Sequence, residues 1–264
     1  MQQLLTRTLP FDETDIDSIY QYAEKNILGK RAKDLTPLVI WNNSQERYNK
    51  GGLGEITERA LGIIKNSESL PDFPLAPLEL KAWTVRILKL GNKKKGSKKG
   101  WVKAKERVKI CHIDLIDTDV SSFASSQVYH KIKNVLHVIY EYEKNKPMKE
   151  FKCVGVCIIS IEEGLDEFNL LDIGYERIHN RIIKGEAHLL GQDSRYMLDS
   201  CRCGSGKNEK KIPQPNSDID MYKRAFIFPP NYLDDFVIPY VVWEKSFYEE
   251  NIVNNSGRMN FYRP

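Results

Sequence analysis

Long apolar runs are missing from this 264-residue chain. No stretch approaches the roughly 20 consecutive apolar residues that span a bilayer, so a membrane-spanning role is not expected. The opening Met-Gln-Gln-Leu-Leu-Thr-Arg-Thr has neither a signal peptide's apolar core nor its small-residue cleavage site, and the expectation is a cytosolic protein. Cysteine is scarce and odd in number, at five, which argues against a disulfide framework. Cys153 and Cys157 sit in an apolar run and read as core. Cys201 and Cys203 have C-x-C spacing without the second ligand pair that zinc requires. Net charge is only +4, but it is unevenly placed. From Arg86 to Lys109 there are eleven Lys and Arg against one acid, Glu106, a balance of +10 that leaves the rest of the chain at −6.

What is present is concentrated in residues 69–83, Ser-Leu-Pro-Asp-Phe-Pro-Leu-Ala-Pro-Leu-Glu-Leu-Lys-Ala-Trp. Pro71, Pro74 and Pro77 keep the first half extended and out of any helix. After Pro77 the pattern alternates, with Leu78 and Leu80 on one face and Glu79 and Lys81 on the other, as on a strand. Asp72 precedes them at the end of the stiffened loop. Two carboxylates about 4 Å apart repel by roughly 4 kcal/mol at an effective dielectric of about 20. A divalent cation removes that repulsion, and hard oxygen ligands suit Mg²⁺. A lysine beside it can orient water or stabilise charge on a phosphate. On spacing alone, a solvated Glu–Lys pair on a strand edge fits equally well.

Residues 50–62, Lys-Gly-Gly-Leu-Gly-Glu-Ile-Thr-Glu-Arg-Ala-Leu-Gly, begin in a glycine turn and become helical, with Leu53, Ile56, Ala60, Ile63 and Ile64 on one face. Glu58 lies at the rim of that face between Gly54 and Gly62. Those glycines clear space around a carboxylate, or Gly62 simply caps the helix and Glu58 is an ordinary surface residue.

The ordered set Lys-Gly-x-x-Gly-x-x-x-Glu-x-x-Leu-Gly, Pro-Asp-Phe-Pro and Leu-Glu-Leu-Lys resembles MutH, the mismatch-repair endonuclease, and related restriction enzymes that cut at GATC, within the PD-(D/E)xK nuclease superfamily. The resemblance continues in residues 105–107, 130–136, 185–188, 217–219 and 224–226, and covers roughly residues 45–240. It implies an α/β, restriction-endonuclease-like core with a mixed sheet of about five strands flanked by helices, and a smaller lobe completing a DNA cleft. It implies a prokaryotic, Mg²⁺-dependent, sequence-specific endonuclease acting on double-stranded DNA and leaving a 5′-phosphate. A strand-specific nicking enzyme of mismatch repair and a non-catalytic DNA-binding module are the alternatives. One or two Mg²⁺ ions would be held by Asp72, Glu79 and Glu58, with Lys81 as the catalytic lysine and Lys131 near the scissile phosphate. The protein would act as a monomer or as a transient homodimer on DNA.

The organisation expected is an N-terminal helical layer over 1–48, a nuclease core over 49–184, and a recognition lobe with the C-terminal segment over 185–264, forming one such unit. Strands are expected at 78–90, returning antiparallel at 108–116, then at 135–142, 151–161 and 225–228. A loop and helix are expected over 121–133. A helix over 162–183 carries Leu170, Leu171, Ile173, Ile178 and Ile182 as core candidates. His112 reads as structural, and His188 as a helix-start histidine satisfied by a carboxylate. Residues 201–211 read as a flexible loop rich in donors. Arg and Lys contact guanine and Asn and Gln contact adenine in the major groove, so Arg202, Lys207, Gln214, Asn216, Ser217, Lys223 and Arg224 are the candidate DNA-binding residues there. Ile227 stands where the family has a tyrosine near the adenine, and it offers no hydroxyl. Lys93, Lys94 and Lys95 head a lysine block that is either a solvated loop or a contact to the phosphate backbone.

Replacing Lys93, Lys94 and Lys95 with alanine is expected to weaken binding to every DNA sequence. The slope of log affinity against log salt should flatten by up to roughly 0.9 per lost phosphate contact, read by titration at several salt concentrations.

Overall fold

A computed structural model describes residues 9–35, 52–63, 70–88, 101–191, 196–204 and 210–252. Lys93, Lys94, Lys95 and Lys207 lie outside the described residues. The strands are β1 (Glu79–Leu88), β2 (Trp101–Ala104), β3 (Val108–His112), β4 (Asn134–Glu141), β5 (Cys153–Ser160), β6 (Asp199–Arg202), β7 (Lys211–Gln214), β8 (Ser217–Tyr222), β9 (Arg224–Phe228) and β10 (Val242–Trp243). The main helices are α1 (Ile16–Asn26), α2 (Gly52–Ala60), α3 (Leu115–Val120), α4 (Gln127–Ile132) and α5 (Asp166–Ile183). None of the described helices is long and apolar enough to cross a membrane.

The central sheet has five strands in the order β10-β5-β4-β1-β2. It is mixed: β1 runs parallel to β4, and every other pair is antiparallel. Period-two alternation sorts β1 between two cores. Leu78 and Leu80 face the cluster built by α1, α2 and Phe73, while Trp83 and Val85 join the larger cluster around α4 and α5. Glu79 and Lys81 share the second face by the same alternation. β5, buried almost end to end on both faces, has the continuous apolar character of an inner strand.

Three sequence expectations are corrected. The strand returning on β1 is the four-residue β2, not 108–116; Val85 to Leu88 pair with Ala104 to Trp101. Asp234 braces that return, accepting from Ala104 N at 2.8 Å and pairing with Lys103 at 3.2 Å. Val108–His112 instead joins a second sheet, β3-β9-β6, so residues assigned to the nuclease core and to the recognition lobe build one sheet. The expected loop at 201–211 begins as strand, with Cys201 and Arg202 opposite Ala225 and Arg224. On α5, Leu171, Tyr175, Ile178 and Ile182 form the buried stripe, whereas Leu170 and Ile173 are 37% and 55% exposed; at 100° per residue they fall on the far side.

Helix α2 ends as its glycine suggested. Gly62 has φ +72°; its N–H bonds to Arg59 O at 2.9 Å, and Ile63 N–H reaches Glu58 O at 2.7 Å. This is the paired bonding of a left-handed C-terminal cap.

Gly174 lies inside α5 against β6, where an added Cβ would stand 2.4 Å from the Leu198 carbonyl oxygen. Alanine normally gains about 1 kcal/mol over glycine within a helix. Here the obstacle is backbone, and overpacking of this kind costs about 1–3 kcal/mol. Gly174→Ala is therefore expected to lower stability, as measured by urea denaturation.

Candidate active site

The proline-rich loop closes on itself before β1 begins. Phe73 and Leu78 exchange backbone hydrogen bonds of 2.9 and 3.1 Å, which turns Asp72 back toward the strand. The Asp72 carboxylate (Oδ2) then accepts the backbone N–H of Leu80 at 2.9 Å. Local chain geometry thus places Asp72 beside the residues that follow it by seven and nine positions.

Glu79 is 2% exposed. Its Oε1 accepts from the Lys81 ammonium, and its Oε2 faces the Lys131 ammonium at 3.6 Å. That Oε2 is buried and has no hydrogen-bond partner. Lys131 arrives from α4, which is anchored by buried Val128, Tyr129 and Ile132; Tyr129 also donates to Ile161 O at 3.1 Å. Burial works against the charge on Lys81, but Glu79 and Asp72 together outweigh it and hold the pKa above the ordinary lysine value. Lys81 is therefore an ammonium at neutral pH. In this arrangement it donates hydrogen bonds and stabilises negative charge, and it does not accept a proton.

Two neighbours were not singled out from sequence. Cys111 on β3 is pushed up to about 11 by burial, against the opposing effect of Lys81 and Lys131, and stays a neutral thiol. His137 on β4 lies opposite Lys81 in the parallel register. Burial and then the Lys81 charge bring its pKa down to about 3. The neutral ring accepts from Trp83 Nε1 at 3.2 Å. Both positions depend on which strands pair, and a linear pattern does not carry that.

The structure brings Asp72, Glu79, Lys81 and Lys131 together. It does not gather Glu58 with Asp72 and Glu79, because no group of three or more His, Cys, Asp or Glu disposed to hold a metal ion occurs among the described residues. Glu58 is half-buried on α2, and a Cβ added to Gly54 would stand an ordinary 3.8 Å from its Oε1. Gly54 is thus not needed to clear space. Two carboxylates, one with an unsatisfied buried oxygen, still fit Mg²⁺, which commonly takes one or two protein carboxylates and fills its shell with water and phosphate oxygens.

The expected DNA-binding residues gather on the second sheet and the hairpin β7–β8. Arg202 stacks its guanidinium 3.6 Å above the Tyr222 ring. Arg224, its partner in register, is half-buried against Gly191, and burial lowers its pKa. Lys223 is exposed, and its carbonyl accepts from Cys203 N at 3.0 Å. Ser217 opens β8, with its hydroxyl accepting from Ile219 N at 3.2 Å. Three readings change. Gln214 and Asn216 spend their amides internally, on Ala187, His188 and Ile219 and on Ile183 respectively. His188 is satisfied by the Gln214 amide and not by a carboxylate. Ile227 is 4% exposed within β9. His112, read as structural, lies among the basic residues: Lys109 donates to its Nε2 at 3.0 Å, and its Nδ1 lies 3.2 Å from Cys203 Sγ.

A sequence model of the family described as DNA mismatch repair enzyme MutH matches residues 61–168. That span contains Asp72, Glu79, Lys81 and Lys131 and stops before the hairpin β7–β8. Over 227 residues the chain is 25% identical to the type II restriction enzyme Sau3AI of Staphylococcus aureus, covering 85% of this chain and 44% of that relative. The chain thus spans less than half of the relative's length.

The raised pKa of Lys81 fixes the sign of a pH effect. A group whose folded pKa exceeds its unfolded value of about 10.4 stabilises the fold fully below that pH and ceases to do so as pH rises through the folded value. Lys81→Met breaks a buried pair and is expected to destabilise by about 3 kcal/mol. In urea denaturation the gap to wild type should stay flat from about pH 7 to 9 and shrink above about 10.5.

Proposed function

We propose that the chain, which is MutH-like in sequence and has the restriction-endonuclease-like fold of that family, is a Mg²⁺-dependent, sequence-specific endonuclease of double-stranded DNA. The carrying observation is the buried Glu79 carboxylate, with one oxygen unsatisfied, set among Asp72, Lys81 and Lys131. A structural ion pair needs neither the second carboxylate nor the second lysine.

In this reading Asp72 and Glu79 hold one or two cations, with Glu58 on α2 as a further ligand. The cation would supply neutralisation of the phosphate and easier deprotonation of the attacking water. Lys81 donates to that water and to the phosphate oxygens. Its ammonium is fixed before substrate arrives, as electrostatic stabilisation requires. Lys131 balances the charge of Glu79 and stands ready for the scissile phosphate. In-line attack inverts phosphorus and leaves a 5′-phosphate. Arg202, Lys223 and Arg224, with Lys207, Ser217 and the lysine block 93–95, contact the DNA.

The relative's designation as a type II restriction enzyme favours cutting of both strands, whereas the family match favours a repair enzyme that nicks one strand. One such site per chain cuts one strand, so duplex cleavage needs a transient homodimer or two successive nicks.

With Mg²⁺, supercoiled plasmid is expected to give linear fragments with identical ends, and chelation should abolish cutting. Lys81→Ala and Asp72→Ala are each expected to lower the rate by about 10²–10³-fold or more. Undiminished cleavage by Lys81→Ala would exclude the mechanism. A single nick confined to hemimethylated duplex would assign the chain to repair, and a smear without discrete ends would exclude sequence specificity.

A further inference from the structure

The hairpin β7–β8 pairs with neither larger sheet, yet it is fastened to the body at several points. Gln214, nearly buried, accepts from Ala187 N at 2.8 Å and donates to His188 Nδ1 at 3.1 Å and to the Ile219 carbonyl. At the turn, Asn216 donates to Ile183 O at 3.1 Å. Its own carbonyl runs so close to Gly185 that a Cβ there would stand 2.3 Å from the oxygen. Met221 packs into the main core. The hairpin is therefore a fixed mount, and what it displays is held in place.

It displays Tyr222, the last residue of β8. The Arg202 guanidinium lies 3.6 Å above the ring and the Lys211 ammonium 5.5 Å from its centroid. Arg202 belongs to β6 and Lys211 to β7, so one ring collects cations from two strands, and Lys223 and Arg224 follow directly in the chain. Like charges gathered in this way repel one another, and a polyanion facing them removes the repulsion. A free arginine side chain also loses much rotamer freedom on binding. Stacking on an aromatic face removes that freedom beforehand and leaves the edge of the guanidinium, with its paired N–H donors, pointing outward.

We propose that Tyr222 is a positioning residue for sequence reading: its ring holds Arg202 ready for bidentate contact with a guanine edge in the major groove. This rests on the endonuclease reading above and adds to it the residue that sets the reading head.

The cleavage site is first identified with wild-type protein by sequencing fragment ends. Affinity is then measured in Ca²⁺ for a duplex carrying the site and one lacking it. Tyr222→Ala and Tyr222→Leu are expected to weaken the site duplex by about 5- to 30-fold, the range between exposed and desolvated stacking. The other duplex should change by less than about twofold, as should both duplexes with Tyr222→Phe, which keeps the ring. Adding Tyr222→Ala to Arg202→Ala should cause no further loss, because the ring acts through the arginine. Unfolding midpoints of Tyr222→Leu and Tyr222→Phe, matched to wild type, separate positioning from folding. Wild-type affinity in the alanine and leucine variants overturns the proposal, as does equal loss in Tyr222→Phe. Loss of equal size on both duplexes also overturns it, assigning the ring to phosphate contact. Wild-type protein that prefers no sequence defeats the endonuclease reading itself, and that outcome is known before any variant is made.

Discussion

A carboxylate buried as deeply as Glu79 needs positive charge beside it, and the chain supplies it from two directions: Lys81 from the same strand and Lys131 from α4. Replacing a buried ion pair with apolar residues of similar size is often neutral or stabilising. A strand at the heart of the sheet gains nothing in stability from Glu79 that leucine would not give. The rest of the local architecture can be read as the means of keeping this group in place. The loop from Phe73 to Leu78 turns Asp72 onto the Leu80 amide, parallel pairing with β4 sets His137 beside Lys81, and the Tyr129 anchor fixes the approach of α4.

Strand β3 connects this site to the basic surface. Cys111 feels the charges of Lys81, Lys131 and Glu79 on one side and of Lys109 on the other, and its neighbour His112 touches Lys109 and Cys203. Successive Cα atoms are about 3.8 Å apart, so the two groups of residues meet within a few residues of one strand. A sheet that draws β3 from one part of the sequence and β6 and β9 from another makes that junction rigid. Displacement of the basic surface by DNA would be transmitted to the thiol and the lysines behind it through covalent backbone and ladder hydrogen bonds.

Much of the site was legible in the sequence because it is local. Asp72, Glu79 and Lys81 lie within ten residues, and proline stiffness plus strand alternation fix their relation without long-range information. The capping role of Gly62 and the buried stripe of α5 at Leu171, Ile178 and Ile182 follow from short-range rules in the same way. What was not legible depends on pairing at a distance. β2 is four residues long beside a lysine run, too short for period-two alternation to register, so the longer Val108–His112 took its place in the reading. Cys201 and Arg202 looked like loop because glycine and lysine follow them, yet β9 supplies a partner strand. Gln214 and Asn216 have the right chemistry to read adenine, and only the fold discloses that their amides are already engaged. Residue type constrains what a side chain can bind; it does not say whether that capacity is free.

The charges at the site also constrain the order of events. Asp72 and Glu79 carry two formal negative charges and Lys81 and Lys131 two positive, so the cluster is close to neutral as it stands. A divalent ion added between the carboxylates leaves an excess of +2, in a place where burial weakens screening by water. That excess is best relieved by phosphate, which also completes the coordination shell that two carboxylates leave largely open. Cation and DNA would then bind with positive coupling, each raising the affinity for the other by the same factor. A cluster of three carboxylates would behave differently, because it could retain its cation without substrate. Two lysines in contact with Glu79 thus weaken metal binding to the empty protein and favour assembly of the complete site only when the duplex is present.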